Sequence, residues 1–297
     1  MTGHRVFPYL VLACGVVVVS TAAILVRLAQ AEGASSISIA AGRLAIAAIV
    51  LAPLVWARVG AELRRLSARE LLLPAASGIL LALHFWTWIA SLEYTSVASS
   101  TVLVTTNPLW VAIASALLLR ERPGAATIAG IALTVFGSGL IFVSDTGRAD
   151  AGAAPALGNS LALAGALAAS GYLLIGRALR GRISLLAYVW LAYSAAAVTL
   201  VVAAVATGQG VGELTPNAWW FIIALALGPQ LLGHTAFNWA LRRLTATFVA
   251  VAILGEPVGS AALAWLMLGE RFGVLQFVGF VLLLAGIFLA ARSERST

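Results

Sequence analysis

Glu256 is followed at once by Pro257, deep inside an otherwise apolar run. Proline withholds its N–H and leaves a carbonyl one turn earlier without its usual donor. A carboxylate beside such a break is a natural ligand-facing group. Two structural roles compete for it: an ion pair with Arg43, or a protonated acid hydrogen-bonded to a neighbour. Arg43 itself lies near the middle of another apolar run, where a charge costs several kcal/mol unless it finds a partner or water. The rival reading of Arg43 is a side chain that snorkels or clamps backbone carbonyls.

Two histidines recur in matched surroundings, His84 six residues after Gly78 and His234 six residues after Gly228. His84, Trp88 and Ser91 follow i, i+4, i+7 spacing and share a helical face, while Trp86 points to lipid or a neighbour. Gln230, His234 and Asn238 recur at i, i+4, i+8. A row of hydrogen-bonding side chains cannot face hydrocarbon, so it faces a cavity or polar partners. Asn107-Pro108 ends a run rich in Ser and Thr, residues that also serve simply to pack helices. Tyr172 lies near Gly171 and Gly176, where a helix can approach a ligand. The substrate-binding candidates are therefore His84, Trp88, Asn107, Tyr172, His234, Asn238 and Glu256. Arg43 and Gln230 are secondary candidates, and Gly78, Pro108, Gly228 and Pro257 are hinge candidates.

Catalysis finds little support among these residues. There is no HExxH, no paired Asp and no nucleophile–base set, so neither an enzyme nor a metal or cofactor is expected. The chain contains no lysine, which excludes the GxxxxGK phosphate loop of a P-loop ATPase.

Composition decides where the positioning elements sit. Of 297 residues, 62% are hydrophobic and 10% charged, with a mean hydropathy of +1.02. Soluble domains carry about 25% charged residues. A membrane span needs roughly 20 apolar residues, and ten such runs are present: 7–29, 36–57, 70–91, 96–119, 125–143, 157–180, 184–206, 217–241, 246–268 and 272–291. An Ala29-Gln30-Ala31 sequence resembles a signal-peptidase site, but the run before it is nearer twenty residues than the usual 7–15. The net charge of +7 and pI near 10.7 are a topology signal, not a nucleic-acid footprint. With the N-terminus inside, fourteen of the eighteen arginines fall on the inner side, three on the outer side and Arg43 within a span. That obeys the positive-inside rule and predicts a membrane protein with both termini cytoplasmic. Glu121 and Glu270, beside arginines at run ends, are expected to cap helices and form interfacial ion pairs. The single Cys14 is expected to be a packed core thiol.

The chain also repeats itself. Asn107-Pro108, Leu119, Glu121-Arg122, Gly130 and Gly137 correspond to Glu256-Pro257, Leu268, Glu270-Arg271, Gly279 and Gly286, all 149 positions apart. Ser20 and Arg27 likewise match Ser170 and Arg177 at an offset of 150. The glycines seven residues apart lie on one helical face, where a neighbouring backbone can come close. The expected organisation is a first five-helix repeat at 1–143, an outer polar linker at 144–156 and a second repeat at 157–297. An odd number of spans per copy inverts the second copy. The fold class is thus an all-α integral membrane protein of ten transmembrane helices in two inverted repeats. Such halves can exchange conformations and move an opening from one side to the other around a midplane site.

The paired segments Pro108…Glu121 and Glu256-Pro257…Gly269-Glu270, in five-span halves, resemble the EamA-type drug/metabolite transporter superfamily over essentially the whole chain. The His- and Trp-bearing third span is most similar to the YddG-type aromatic amino acid exporters. The resemblance implies a ten-span inner-membrane exporter of small metabolites. Expected partners are an amino-acid-like solute, with aromatic or other neutral amino acids first, and the lipid bilayer; the monomer is the expected unit. The ammonium of such a solute fits Glu256, its carboxylate Arg43 or helix N-termini, and its side chain Trp88 and Tyr172. Competing readings are an efflux carrier for drugs or nucleobases, a channel and a lipid translocator. Facilitated transport and proton exchange through His84, His234 and Glu256 both remain open.

Overall fold

Five helices in this chain start where a Ser or Thr hydroxyl accepts an otherwise unpaired first-turn N–H. The protein, seen in a computed structural model, is described over residues 3–118, 124–148, 151–179, 181–210, 214–240 and 252–293. The first apolar run gives α1 (Gly3–Ser20) and α2 (Ala22–Ala31), interrupted at Thr21, whose hydroxyl bonds back to the Val18 carbonyl at 2.7 Å. Ser35 caps α3 (Ser36–Leu63), and a Ser67/Glu70 capping box starts α4 (Ala68–Tyr94). Ser96 caps the short α5 (Val97–Val104), which stops at Thr105-Thr106 before α6 (Asn107–Leu118). Then come α7 (Ala125–Thr146), α8 (Pro155–Leu179) and α9 (Leu185–Ala206), the last capped by Ser184. Thr215 caps α10 (Pro216–Leu225), which passes into a π-helical segment, Ala226–Gly233, and on into α11 (His234–Ala240). The described chain ends with α12 (Gly255–Leu268) and α13 (Val274–Ser293).

Among the described residues the fold is all-helical with no strand, and seven helices are long and apolar enough to cross a membrane. The fourth and ninth expected spans do not appear as single helices. The former breaks at Thr105-Thr106; the latter begins outside the described residues and is interrupted at Leu254.

Close pairings hold the bundle. The most extensive is α7 against α13, followed by α4 against α8 and α3 against α9. The α7–α13 contact uses the paired glycines as expected: a Cβ on Gly137 would stand 2.6 Å from the Leu283 nitrogen, and one on Gly279 2.9 Å from the Gly137 carbonyl. Helix α1 lies against the π segment, α11 and α12, and α5 contacts both α8 and α12. Large apolar side chains such as Val205, Trp220 and Val274 cover the outside, as a lipid-facing surface requires.

Polar contacts tie one end of the bundle. Glu270 pairs with Arg27 at 3.6 Å and accepts from the Val97 N–H at 3.0 Å, so it is the cap and ion-pair partner its position predicts. Glu121 lies outside the described residues. The stretch expected as a polar linker is in part helical, because Ser144 to Thr146 continue α7. Asp145 there is fully buried and accepts from Asn159 Nδ2 at 2.7 Å and Gln276 Nε2 at 3.0 Å. Turn-forming composition misleads here because the carboxylate finds tertiary donors. Cys14 also differs from expectation: it lies on the exposed side of α1, since the buried face of that helix belongs to Leu12 and Val19.

Candidate functional site

The broken helices meet around a cavity of about 580 Å³. Of the sequence candidates, His84, Trp88, Asn107, Tyr172, His234 and Glu256 line it, together with Arg43 and Gln230. The side chain of Asn238 lies outside the described residues, although its backbone belongs to α11.

Each lining group is held by an identifiable element. Helix α4 carries His84 and Trp88 one turn apart, their rings parallel at 6.4 Å between centroids. His84 Nδ1 donates to the Gly165 carbonyl at 3.0 Å, which ties α4 to α8; the receiving atom has no proton to give, so Nδ1 carries it. Ser91 departs from the expected face. It is buried and shares a 2.6 Å hydrogen bond with Ser100, because the α4–α5 packing reaches it before the cavity does. Trp86 is exposed, as expected for a lipid-facing ring.

Arg43 does not snorkel. It is 2% exposed, its Nε donates to Gln230 Oε1 at 2.8 Å, and its guanidinium lies 4.2 Å above the Phe85 ring and 6.0 Å from that of Trp88. No direct ion pair joins it to Glu256, although the two are close enough to couple electrostatically. The Glu256 carboxylate accepts no hydrogen bond from the described protein. Three further polar atoms are buried and unpartnered among the lining residues: Arg43 Nη1, Trp88 Nε1 and Asn107 Oδ1. Buried polar groups are ordinarily satisfied, and each that is not costs about 1–3 kcal/mol.

The two helix breaks are pinned alike. Ser20 donates to the Glu256 carbonyl at 3.2 Å, and Ser170 to the Asn107 carbonyl at 3.1 Å. The four hinge candidates fall in different settings. Pro108 and Pro257 stand in the first turns of α6 and α12, just past the breaks, and Gly228 lies in the π segment. Gly78 lies in unbroken α4, where a Cβ would stand 2.6 Å from the Ala192 carbonyl of α9; its smallness serves packing.

Phe85, Tyr193 and Trp239, aromatic residues of a kind that ordinarily pack a membrane core, also line the cavity. Phe85 earns its place only through Arg43, a contact between α3 and α4 with no local signature. Tyr172 stacks on Tyr188 at 5.9 Å, and its carbonyl accepts from the Tyr188 hydroxyl at 3.1 Å.

Comparison with known proteins gives four findings. The EamA-like transporter family model matches twice, over residues 6–143 and 156–292. The uncharacterized transporter YetK of Bacillus subtilis is 24% identical over 205 residues, 68% of this chain but only 62% of that protein's own length. An uncharacterized transporter of Clostridium kluyveri is 23% identical over 256 residues, covering 84% of this chain and 81% of the other. A solved structure described only as a crystal structure of a protein superposes with a TM-score of 0.65, at 20% identity, over 97% of this chain and 98% of that one. At that identity the likeness is one of fold alone.

Proposed function

We infer that this chain, which belongs to the EamA-like transporter family, is a ten-span secondary transporter that exports small metabolites by alternating access. The proposed substrates are amino acids, aromatic or other neutral ones, and the proposed location is the inner membrane with both termini cytoplasmic. One observation carries the reading: a cavity holds a buried arginine and a carboxylate that accepts no hydrogen bond among the described residues, and the two do not neutralise each other by direct contact. Opposite charges kept apart in a low-dielectric space suit a solute that carries both.

The helix pairing supports two inverted repeats, at 1–143 and 157–297 with 144–156 between. If spans one to five correspond to six to ten, α4 on α8 is matched by the α1–α2 run on the α10–π–α11 run. In the same way α7 pairs with its own counterpart α13, and α3 with α9. The matched Ser20 and Ser170 bonds follow the same correspondence. Pro108, Pro257, Gly228 and Gly78 are the proposed hinges, Gly78 as a packed pivot between α4 and α9.

Counterflow in proteoliposomes tests the reading. A panel of radiolabelled amino acids, with and without a pH gradient, should give saturable counterflow for at least one neutral amino acid. Glu256→Gln should abolish or redirect it while the protein remains folded. Transport by Glu256→Gln at the wild-type rate removes Glu256 from the site, and non-saturable flux makes the protein a pore.

A further inference from the structure

Gln230 engages the same guanidinium that a substrate carboxylate would need. Its amide oxygen takes the Nε proton of Arg43 at 2.8 Å, and both side chains are almost fully buried. A buried guanidinium is best satisfied by a carboxylate, which meets two of its donors at once in charge-assisted bonds about twice as strong as neutral ones. Arg43 has instead a single neutral oxygen, a ring face from Phe85 and an unpartnered Nη1. Among the described residues, the one carboxylate that lines the same cavity, Glu256, makes no direct ion pair with it.

The element that carries Gln230 is equally unusual. Residues 226–233 are π-helical, a geometry that recurs at functional sites and is rarely adopted over more than one turn. Pro229, within it, has no N–H to give to a regular α-helical ladder. The Gln230 side chain links this segment to α3, and the Tyr193 hydroxyl of α9 adjoins the same amide.

We propose that Gln230 is an internal stand-in for the substrate's carboxylate, occupying Arg43 until a carboxylate-bearing solute displaces it. The proposal rests on the transporter reading above and adds to it which group recognises the carboxylate and what its arrival moves. An incoming carboxylate spans Nε and a terminal nitrogen of Arg43, a fork that one amide oxygen cannot match. Gln230 then turns to Tyr193, and the segment 226–233 loses its tie to α3. That segment leads directly into His234 and α11, so exchange of one acceptor for another on Arg43 reaches the neighbouring cavity wall. Differential contact of this kind is what lets a ligand shift a conformational equilibrium. The substrate's ammonium meets the carboxylate of Glu256.

The prediction has an unusual sign. A residue that only binds substrate weakens binding when it is lost; a stand-in strengthens it. Half-saturation in proteoliposome counterflow is measured for a neutral amino acid and for the amine formed by its decarboxylation, using wild type, Gln230→Ala and Gln230→Glu. Removing a hydrogen bond to a charged group should lower the half-saturation of Gln230→Ala for the amino acid by roughly tenfold, with a lower maximal rate. Gln230→Glu keeps the volume and the acceptor, and so reports even where alanine folds poorly; it should lose the amino acid, while the amine, which has no carboxylate to take Arg43, should gain no affinity from Gln230→Ala. Wild-type amino-acid counterflow with an unchanged or raised half-saturation in Gln230→Ala overturns the stand-in alone. So does wild-type affinity of Gln230→Glu for the amino acid. If wild type carries no carboxylate-bearing solute, the amino-acid reading fails and takes this proposal with it.

Discussion

The wall of the cavity that carries His84 and the wall that carries His234 start from matched sequence and end as different structures. Gly78 and His84 correspond to Gly228 and His234, yet α4 is unbroken across its glycine and histidine while 226–233 is π-helical. At the same offset Pro229 stands where the first copy has Ile79, and Gln230 where it has Leu80. The proline removes a backbone donor, and the amide supplies a tertiary bond to Arg43 that holds the altered segment in place. His84 is anchored to the Gly165 carbonyl, whereas His234 meets the Phe237 ring edge-on at 6.2 Å and shows no hydrogen bond among the described residues. The breaks differ too. Ser260 donates to the Ser20 carbonyl and doubles the tie at α12, but Val111 stands in the matching place on α6 and can supply no such bond. The two copies thus secure different elements: the first copy ties its histidine, the second its π segment and its break.

Unequal substitution effects on the two walls test that difference. The largest contrast is expected between Glu256→Ala and Asn107→Ala, which hold equivalent positions. Loss of a charged contact in a buried site should cost about 2–3 kcal/mol, roughly a hundredfold in initial transport rate. Loss of a neutral amide should cost about 1 kcal/mol, nearer fivefold. Equal losses would make the two copies equivalent contributors.

A smaller contrast separates the histidines. His84→Ala breaks the α4–α8 hydrogen bond and should lower stability in detergent by about 1 kcal/mol, a melting shift of a few degrees. His234→Ala should leave the melting temperature nearly unchanged and alter transport instead. The reverse pattern would mean that the α11 side is the fixed one.

The smallest effect concerns the serines. Ser170→Ala should slow transport about twofold, since a net hydrogen bond is worth about 0.5–1.5 kcal/mol and only part of it acts on the rate. Ser20→Ala should do less, because Ser260 still ties α12 to α1. The double variant Ser20→Ala/Ser260→Ala should then match Ser170→Ala in initial rate; a double variant indistinguishable from wild type would remove these hydroxyls from the positioning of Asn107 and Glu256.

Much of the candidate site was legible because its residues violate the rule of their surroundings. A charge or a proline within an apolar run stands out, and Glu256-Pro257, Asn107-Pro108 and Arg43 were found on that ground alone. The glycine pairs were found by their spacing, and Gly137 and Gly279 do bring α7 and α13 together. Phe85 gave no such signal, since an aromatic residue in a membrane helix is ordinary until a cation settles on it. Asp145 misled in the other direction: beside Gly147 and Pro155 it has the composition of a turn, and only Asn159 and Gln276, distant in sequence, make it a buried group.

The sequence by itself determined the class of this protein, an all-helical membrane chain with an internal repeat and a few polar residues stranded in apolar runs. Those properties follow from composition, period and spacing, which act locally and survive without knowledge of neighbours. Tertiary structure alone decided which stranded groups satisfy one another and which remain unsatisfied. Arg43 turned to Gln230 and not to Glu256, and no local rule foretells that choice, because the cost of burying a charge depends on every group that packing brings within reach.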